Sequence, residues 1–116
     1  MHRILVVEDD RDLREATVRM LESLGHWASG VSSAEIALNR FIAGGFDIVI
    51  TDVGLPGLSG LQLAEKLKEV VELPVIFASG LPAPPSLPSH FVWLSKPYTL
   101  AQVESALAAA TRPGAF

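Results

Sequence analysis

The chain has 116 residues, 49% of them apolar and 19% charged, with a formal net charge of −4. That length suits one domain with one core, and the acidic balance argues against an autonomous nucleic-acid or anionic-membrane surface. The chain has no cysteine, which excludes disulfides and thiolate metal sites and fits a cytoplasmic setting. No apolar run approaches the length of a membrane span.

Ile4-Leu5-Val6-Val7 is a short run rich in β-branched residues and reads as the first strand. Residues 11–24 place Leu13, Ala16, Met20, Leu21 and Leu24 at helical spacing, and Gly25 stands where a C-terminal cap belongs. Residues 26–31 form a weak second strand. Ser32-x-x-Glu35 has the pattern of a capping box, opening a helix with Ala34, Ala37, Leu38 and Phe41 inward and Gly44-Gly45 at its end.

The third strand covers residues 46–51. Ser59 is the expected N-cap of a third helix that runs to about Val70 and turns Leu63, Leu67 and Val71 inward. Pro74 to Ala78 is the fourth strand and Phe91 to Leu94 the fifth. Thr99-x-x-Gln102 repeats the capping-box pattern ahead of a last helix that buries Val103, Ala106, Leu107 and Ala110. The domain then spans residues 1–112, and residues 113–116 form a loose tail.

Strands alternating with helices imply right-handed βαβ crossovers and a parallel sheet with helices on both faces. Five such strands point to a flavodoxin-like, doubly wound α/β fold with strand order 2-1-3-4-5. In sheets of this kind sites form at the carboxyl ends of the strands, near the switch between the first and third. The first strand ends in Glu8-Asp9-Asp10, the third in Asp52, the fourth in Ser79-Gly80 and the fifth in Ser95-Lys96-Pro97.

Carboxylates converging from Glu8, Asp9 and Asp52 repel one another, by roughly 3 kcal/mol for two charges about 5 Å apart at an effective dielectric of 20. Such a cluster calls for a cation, and oxygen-only ligands suit a hard ion such as Mg²⁺. Lys96 supplies a mobile positive charge, Ser79 a hydroxyl, and Gly54 and Gly80 room for close backbone approach. Asp10 needs no more than a helix N-terminus to explain it. The three histidines, His2, His26 and His90, lack metal-ligand grouping and read as surface residues.

The runs VVEDD (6–10), ITDVGLPGLSG (50–60), PVIFASG (74–80) and LSKPY (94–98) together resemble the receiver domain of two-component response regulators, the CheY-like family, over essentially the whole chain. The resemblance implies that Asp52 accepts phosphate from a phosphohistidine on a histidine kinase or a histidine phosphotransfer protein. It implies Mg²⁺ bound by Asp9 directly, by Glu8 through water, by Asp52 and by the Gly54 carbonyl. It makes Lys96 and Ser79 phosphoryl-binding groups, with the Lys96–Pro97 bond cis. Ser79 becomes the switch hydroxyl and Trp93 the switch aromatic, where the family more often has Tyr or Phe.

The segment between Ser79 and Lys96 is short for the family and holds Pro82, Pro84, Pro85 and Pro88. Proline inside a helix costs about 3 kcal/mol, so the fourth helix of the family pattern is expected to be shortened or absent. Phe77-Ala78-Ser79-Gly80 is similar to the FATG signature of a single-domain receiver subgroup with a degenerate fourth helix.

The function implied is a phosphorelay module whose modification changes the binding of a downstream protein of unknown identity, as a stand-alone regulator or a receiver excised from a hybrid kinase. Neither nucleic acid nor membrane is an expected partner. Two other readings compete. A haloacid-dehalogenase-like, Mg²⁺-dependent phosphatase shares the nucleophilic Asp and the Lys, but its nucleophile ends the first strand in an Asp-x-Asp pair, whereas Asp52 ends the third and is followed by Val53-Gly54. A docking pseudo-receiver would not need the full set of acids, Ser and Lys.

Overall fold

The computed structural model describes residues 1–40, 45–83 and 91–111. Five strands, β1 (Arg3–Val7), β2 (Trp27–Val31), β3 (Ile48–Asp52), β4 (Val75–Ser79) and β5 (Val92–Ser95), form one sheet in the order β2-β1-β3-β4-β5, and the paired neighbours are parallel. Four helices flank it: α1 (Arg11–Ser23), α2 (Ala34–Arg40), α3 (Gly60–Lys68) and α4 (Leu100–Thr111). This is the flavodoxin-like topology that the alternating pattern implies.

Strand alternation sorts the apolar residues into two cores. Ile4, Val6, Ile48, Ile50, Ile76, Ala78 and Leu94 face α1 and α4, where they meet Leu21, Val103, Ala106, Leu107 and Ala110. Leu5, Val7, Val49, Val75 and Phe77 face α2 and α3 and meet Ala34, Ala37, Leu63, Ala64 and Leu67. Parallel strands covered on both sides leave little room for polar residues, which explains their unbroken apolar runs.

The helix ends follow local chemistry. Asp10 caps α1, its Oδ1 accepting from the Leu13 amide at 3.1 Å. Gly25, at φ +89°, turns the chain out of α1 in a conformation that costs glycine least. Ser59 and Gln62 form a reciprocal capping box at α3, and Thr99 and Gln102 form another at α4.

At α2 the cap differs from the sequence pattern. Ser33, not Ser32, accepts from the Ile36 amide at 3.1 Å, and Glu35 reaches across to accept from the Leu58 amide at 3.1 Å. Two adjacent serines fit the motif equally well, and a partner 23 residues away leaves no local trace. Helix α3 stops at Lys68, just short of the expected Val70.

Between β4 and β5 only residues 80–83 and 91 are described, and none of them is helical, so the expected shortening of the family's fourth helix falls mostly outside the described residues. The core position Phe41, the prolines Pro84, Pro85 and Pro88, His90 and the tail 113–116 fall outside the described residues.

Candidate functional site

Three carboxylates and one ammonium meet at the carboxyl end of the sheet. β1 and β3 are direct neighbours, with Val6 opposite Ile50 and Val7 opposite Thr51, so the residues that follow them emerge side by side. Glu8, Asp52 and Lys96 continue the alternation of Val6, Ile50 and Leu94, so all three leave the sheet on the α1/α4 side. One ligand oxygen each from Glu8, Asp9 and Asp52 lies within 4.8 Å of the others. Lys96 Nζ lies 2.7 Å from Glu8 Oε1 and 3.3 Å from Asp52 Oδ2.

Burial is graded across the cluster. The Glu8 side chain is 5% exposed and that of Lys96 22%, that of Asp52 is 12% exposed, and Asp9 is exposed at the mouth. Burial pushes the Glu8 carboxyl above its ordinary range; hydrogen bonds from Lys96 and from the Asp10 amide oppose that shift, while the Asp52 charge adds to it. Burial works to lower the Lys96 ammonium, but Glu8 and then Asp52 outweigh it and hold its pKa above the usual value. Three acids share one lysine, so the cluster carries surplus negative charge. Its oxygen-only donor set fits a hard divalent cation such as Mg²⁺.

The rim is fastened by backbone. The Asp10 amide donates to Glu8 Oε2 at 3.1 Å, and Arg14 Nη1 donates to the Glu8 carbonyl at 2.9 Å. The Gly54 amide donates to Asp52 Oδ1 at 3.3 Å. The Lys96 amide donates to the Ser79 carbonyl at 2.8 Å, joining the ends of β4 and β5. Ser79 is buried, and its Oγ accepts from the Leu81 amide at 3.1 Å. The Lys96–Pro97 bond is cis, as the resemblance implies.

Trp93 stands apart from the charged cluster. It lies on the α2/α3 side beside Phe77, 6.3 Å between ring centroids, and its Nε1 donates to the Leu81 carbonyl at 3.0 Å. Leu81 is thus held at its amide by Ser79 and at its carbonyl by Trp93.

The glycines need a correction. Among the described residues nothing lies within 4 Å of a side chain built at Gly54 or Gly80, and neither has a positive φ, so no close approach by the described protein requires glycine there. Gly60 is tight against backbone: a Cβ there would overlap the Asp52 carbonyl oxygen. The signal for it lies in the helix pattern: Gly60, Leu63, Ala64 and Leu67 form the buried stripe of α3, and Gly60 is its first member. Arg14 was also missed; it stands one turn into α1 from its cap, on the turn beside the acids. A groove of about 520 Å³ beside α3, lined by Leu61, Leu73, Val75, Phe77 and Phe91 among others, is mainly apolar and separate from the acidic cluster.

The family model of the response regulator receiver domain matches residues 4–87. The receiver protein CpdR of Brucella abortus is 33% identical over 106 residues, 86% of this chain and 88% of CpdR. This chain belongs to the response-regulator receiver family. Receiver domains are phosphoacceptors of two-component signal transduction rather than turnover enzymes. The transcriptional regulatory protein DctD of Rhizobium meliloti is 38% identical over 78 residues, 66% of this chain but only 17% of DctD. Among solved structures, the response regulator TrrA of Thermotoga maritima, in complex with Mg²⁺–BeF, matches at a TM-score of 0.83 and 27% identity, over 95% of this receiver and 99% of that chain. TrrA in complex with the histidine kinase ThkA matches at 0.82 and 26% identity, over 96% and 99%. No helix among the described residues is long and apolar enough to cross a membrane.

Proposed function

We propose that this receiver takes phosphate onto Asp52 from a phosphohistidine of a histidine kinase or phosphotransfer protein, and that the modified form binds a downstream protein differently. The reading rests above all on one observation, the gathering of Glu8, Asp9, Asp52 and Lys96 at one rim. An Asp52 carboxylate oxygen attacks the phosphorus, the P–N bond breaks as the P–O bond forms, and the leaving imidazole takes up a proton. Asp9, Glu8, Asp52 and the Gly54 carbonyl would hold Mg²⁺, which supplies electrostatic stabilisation for a transfer that depends on positioning and charge. Lys96 moves from bridging two carboxylates to pairing with the new phosphoryl group, and Ser79 offers it a hydroxyl. Trp93, bonded to the carbonyl of the same Leu81 whose amide Ser79 holds, reports that change to the surface. TrrA's complexes with Mg²⁺–BeF and with a kinase support the cofactor and the partner class. The setting is cytoplasmic, and the subgroup is the FATG type.

Acetyl phosphate with Mg²⁺ should add one phosphate per chain, read by intact mass, and EDTA should prevent it. Asp52→Asn should abolish the addition. A wild type that takes up no phosphate would favour a docking pseudo-receiver, and turnover beyond one equivalent would favour a phosphatase.

A further inference from the structure

Among the described residues the buried polar ones are Glu8, Thr17, Thr51 and Ser79. Glu8, Thr51 and Ser79 lie at the carboxyl ends of strands, within or beside the site. Thr17 does not: it sits in the middle of α1, wholly buried, where threonine is a poor helix former. Its hydroxyl has two partners, the Leu13 carbonyl at 2.8 Å and the Tyr98 hydroxyl at 2.6 Å. A threonine hydroxyl carries one hydrogen, and Leu13 offers only an acceptor, so Thr17 donates to Leu13 and Tyr98 donates to Thr17. Burial pushes the Tyr98 hydroxyl up in pKa, so it keeps the proton that this requires.

The bond spans 81 positions of sequence and ties together the two halves of the charged rim. Tyr98 follows Lys96 by two residues, and its ring packs in the α1/α4 core with Leu94 and Val103. Helix α1 is fastened to the acidic loop, through Arg14 on the Glu8 carbonyl and the Asp10 cap. One helix therefore carries the acids at its start and, two turns on, a fixed point for the loop that carries the lysine.

We propose that Thr17 and Tyr98 are a positioning pair that holds Lys96 in register with Asp52 and Glu8. The inference rests on the phosphoacceptor reading above. It concerns the rate of phosphate uptake and leaves the binding of Mg²⁺ unchanged, because Glu8 and Asp9 follow β1 and Asp52 ends β3, on segments other than the one that carries Tyr98. Misplacement of a reacting group by about 1 Å can cost up to 10²-fold in rate, and a loop that relaxes only in part should lose about tenfold.

The experiment is the initial rate of Asp52 labelling by acetyl phosphate at saturating Mg²⁺, with Mg²⁺ affinity and the thermal midpoint measured in parallel. Tyr98→Phe and Thr17→Val should each slow labelling about tenfold, and the double variant should be no slower than either single one, since both remove the same bond. Thr17→Ser keeps the hydroxyl and should restore the rate, and Mg²⁺ affinity should stay within about twofold throughout. Tyr98→Phe removes one oxygen and keeps the ring, so it carries the test even if Thr17→Val does not fold. Labelling of folded Tyr98→Phe within twofold of wild type, or effects that multiply in the double variant, overturns the inference alone. An unlabelled wild type overturns the phosphoacceptor reading and this inference with it.

Discussion

At the carboxyl end of the sheet Lys96 lies 2.7 Å from Glu8, with side chains 22% and 5% exposed. At the amino end Arg3 lies 3.5 Å from Asp47, with side chains 46% and 38% exposed. The amino-end pair completes the sheet: the Arg3 amide donates to Asp47 Oδ2 and the Asp47 amide to the Arg3 carbonyl, so each residue closes the other's backbone. Beside it the Trp27 amide donates to the His2 carbonyl in the same way. At the carboxyl end three acids face one lysine, and although the Asp10 and Gly54 amides each donate to one of them, no second side-chain cation pairs with their carboxylates among the described residues. Opposite charges at the edge of a sheet finish a structure, whereas a surplus of one sign, sunk below the surface, leaves work for a ligand.

The sharpest way to probe that contrast is through the backbone beneath Asp52. Gly60→Ala forces a methyl group onto the Asp52 carbonyl and should cost about 2–3 kcal/mol. Gly54→Ala, in the loop at the mouth, meets none of the described residues and should stay within about 0.5 kcal/mol. Urea unfolding of the two variants measures both. Equal losses would mean that the packing under the site is looser than these contacts imply.

Next in size is the charge itself. In metal-free protein Lys96→Met leaves Glu8 and Asp52 facing each other, both largely buried, and should cost about 2 kcal/mol, less than the full penalty of a wholly buried pair. Arg3→Met, at the exposed pair, should cost less than about 0.5 kcal/mol. The Lys96 loss should be largest at neutral pH and shrink on acidification, as Glu8 takes up a proton. A loss at Lys96 no larger than that at Arg3 would remove the distinction between the two ends.

Much of the site could be read from the chain because two periodic signals coincide there. Period-two alternation carries Val6 to Glu8, Ile50 to Asp52 and Leu94 to Lys96, and each polar residue comes where the apolar run stops. Capping boxes are equally local, so Thr99-x-x-Gln102 is legible from four residues. The bond between Thr17 and Tyr98 is not, because nothing near either residue announces a partner in another element. Glu35 shows the same limit: its sequence neighbours suggest a cap, while its carboxylate serves Leu58 in the loop after β3. Gly54 and Gly60 were told apart only by the position of the Asp52 carbonyl, although the helical stripe through Leu63 and Leu67 already pointed at Gly60.

The smallest effect tests whether the two ends also oppose each other in pH. His26 Nδ1 accepts from the His2 amide at 3.0 Å, and the two rings stack with centroids 5.5 Å apart. Burial first, then the charges of His2 and the N-terminal amine, lower the His26 pKa from its ordinary 6.5. A base with a lowered folded-state pKa is protonated first in the unfolded chain, so its stabilisation is complete above 6.5 and declines as the pH falls toward the folded value. Glu8 acts with the opposite sign. Its raised folded-state pKa lets the native protein take up a proton before the unfolded chain does, so the metal-free protein gains stability as the pH falls through that value toward 4.5. Comparing urea midpoints at about pH 7.5 and pH 5.5 for wild type and His26→Gln isolates the amino-end share. The variant should lose less stability on acidification than the wild type. If both respond identically, the lowered pKa of His26 contributes nothing to the pH response of the domain in this range.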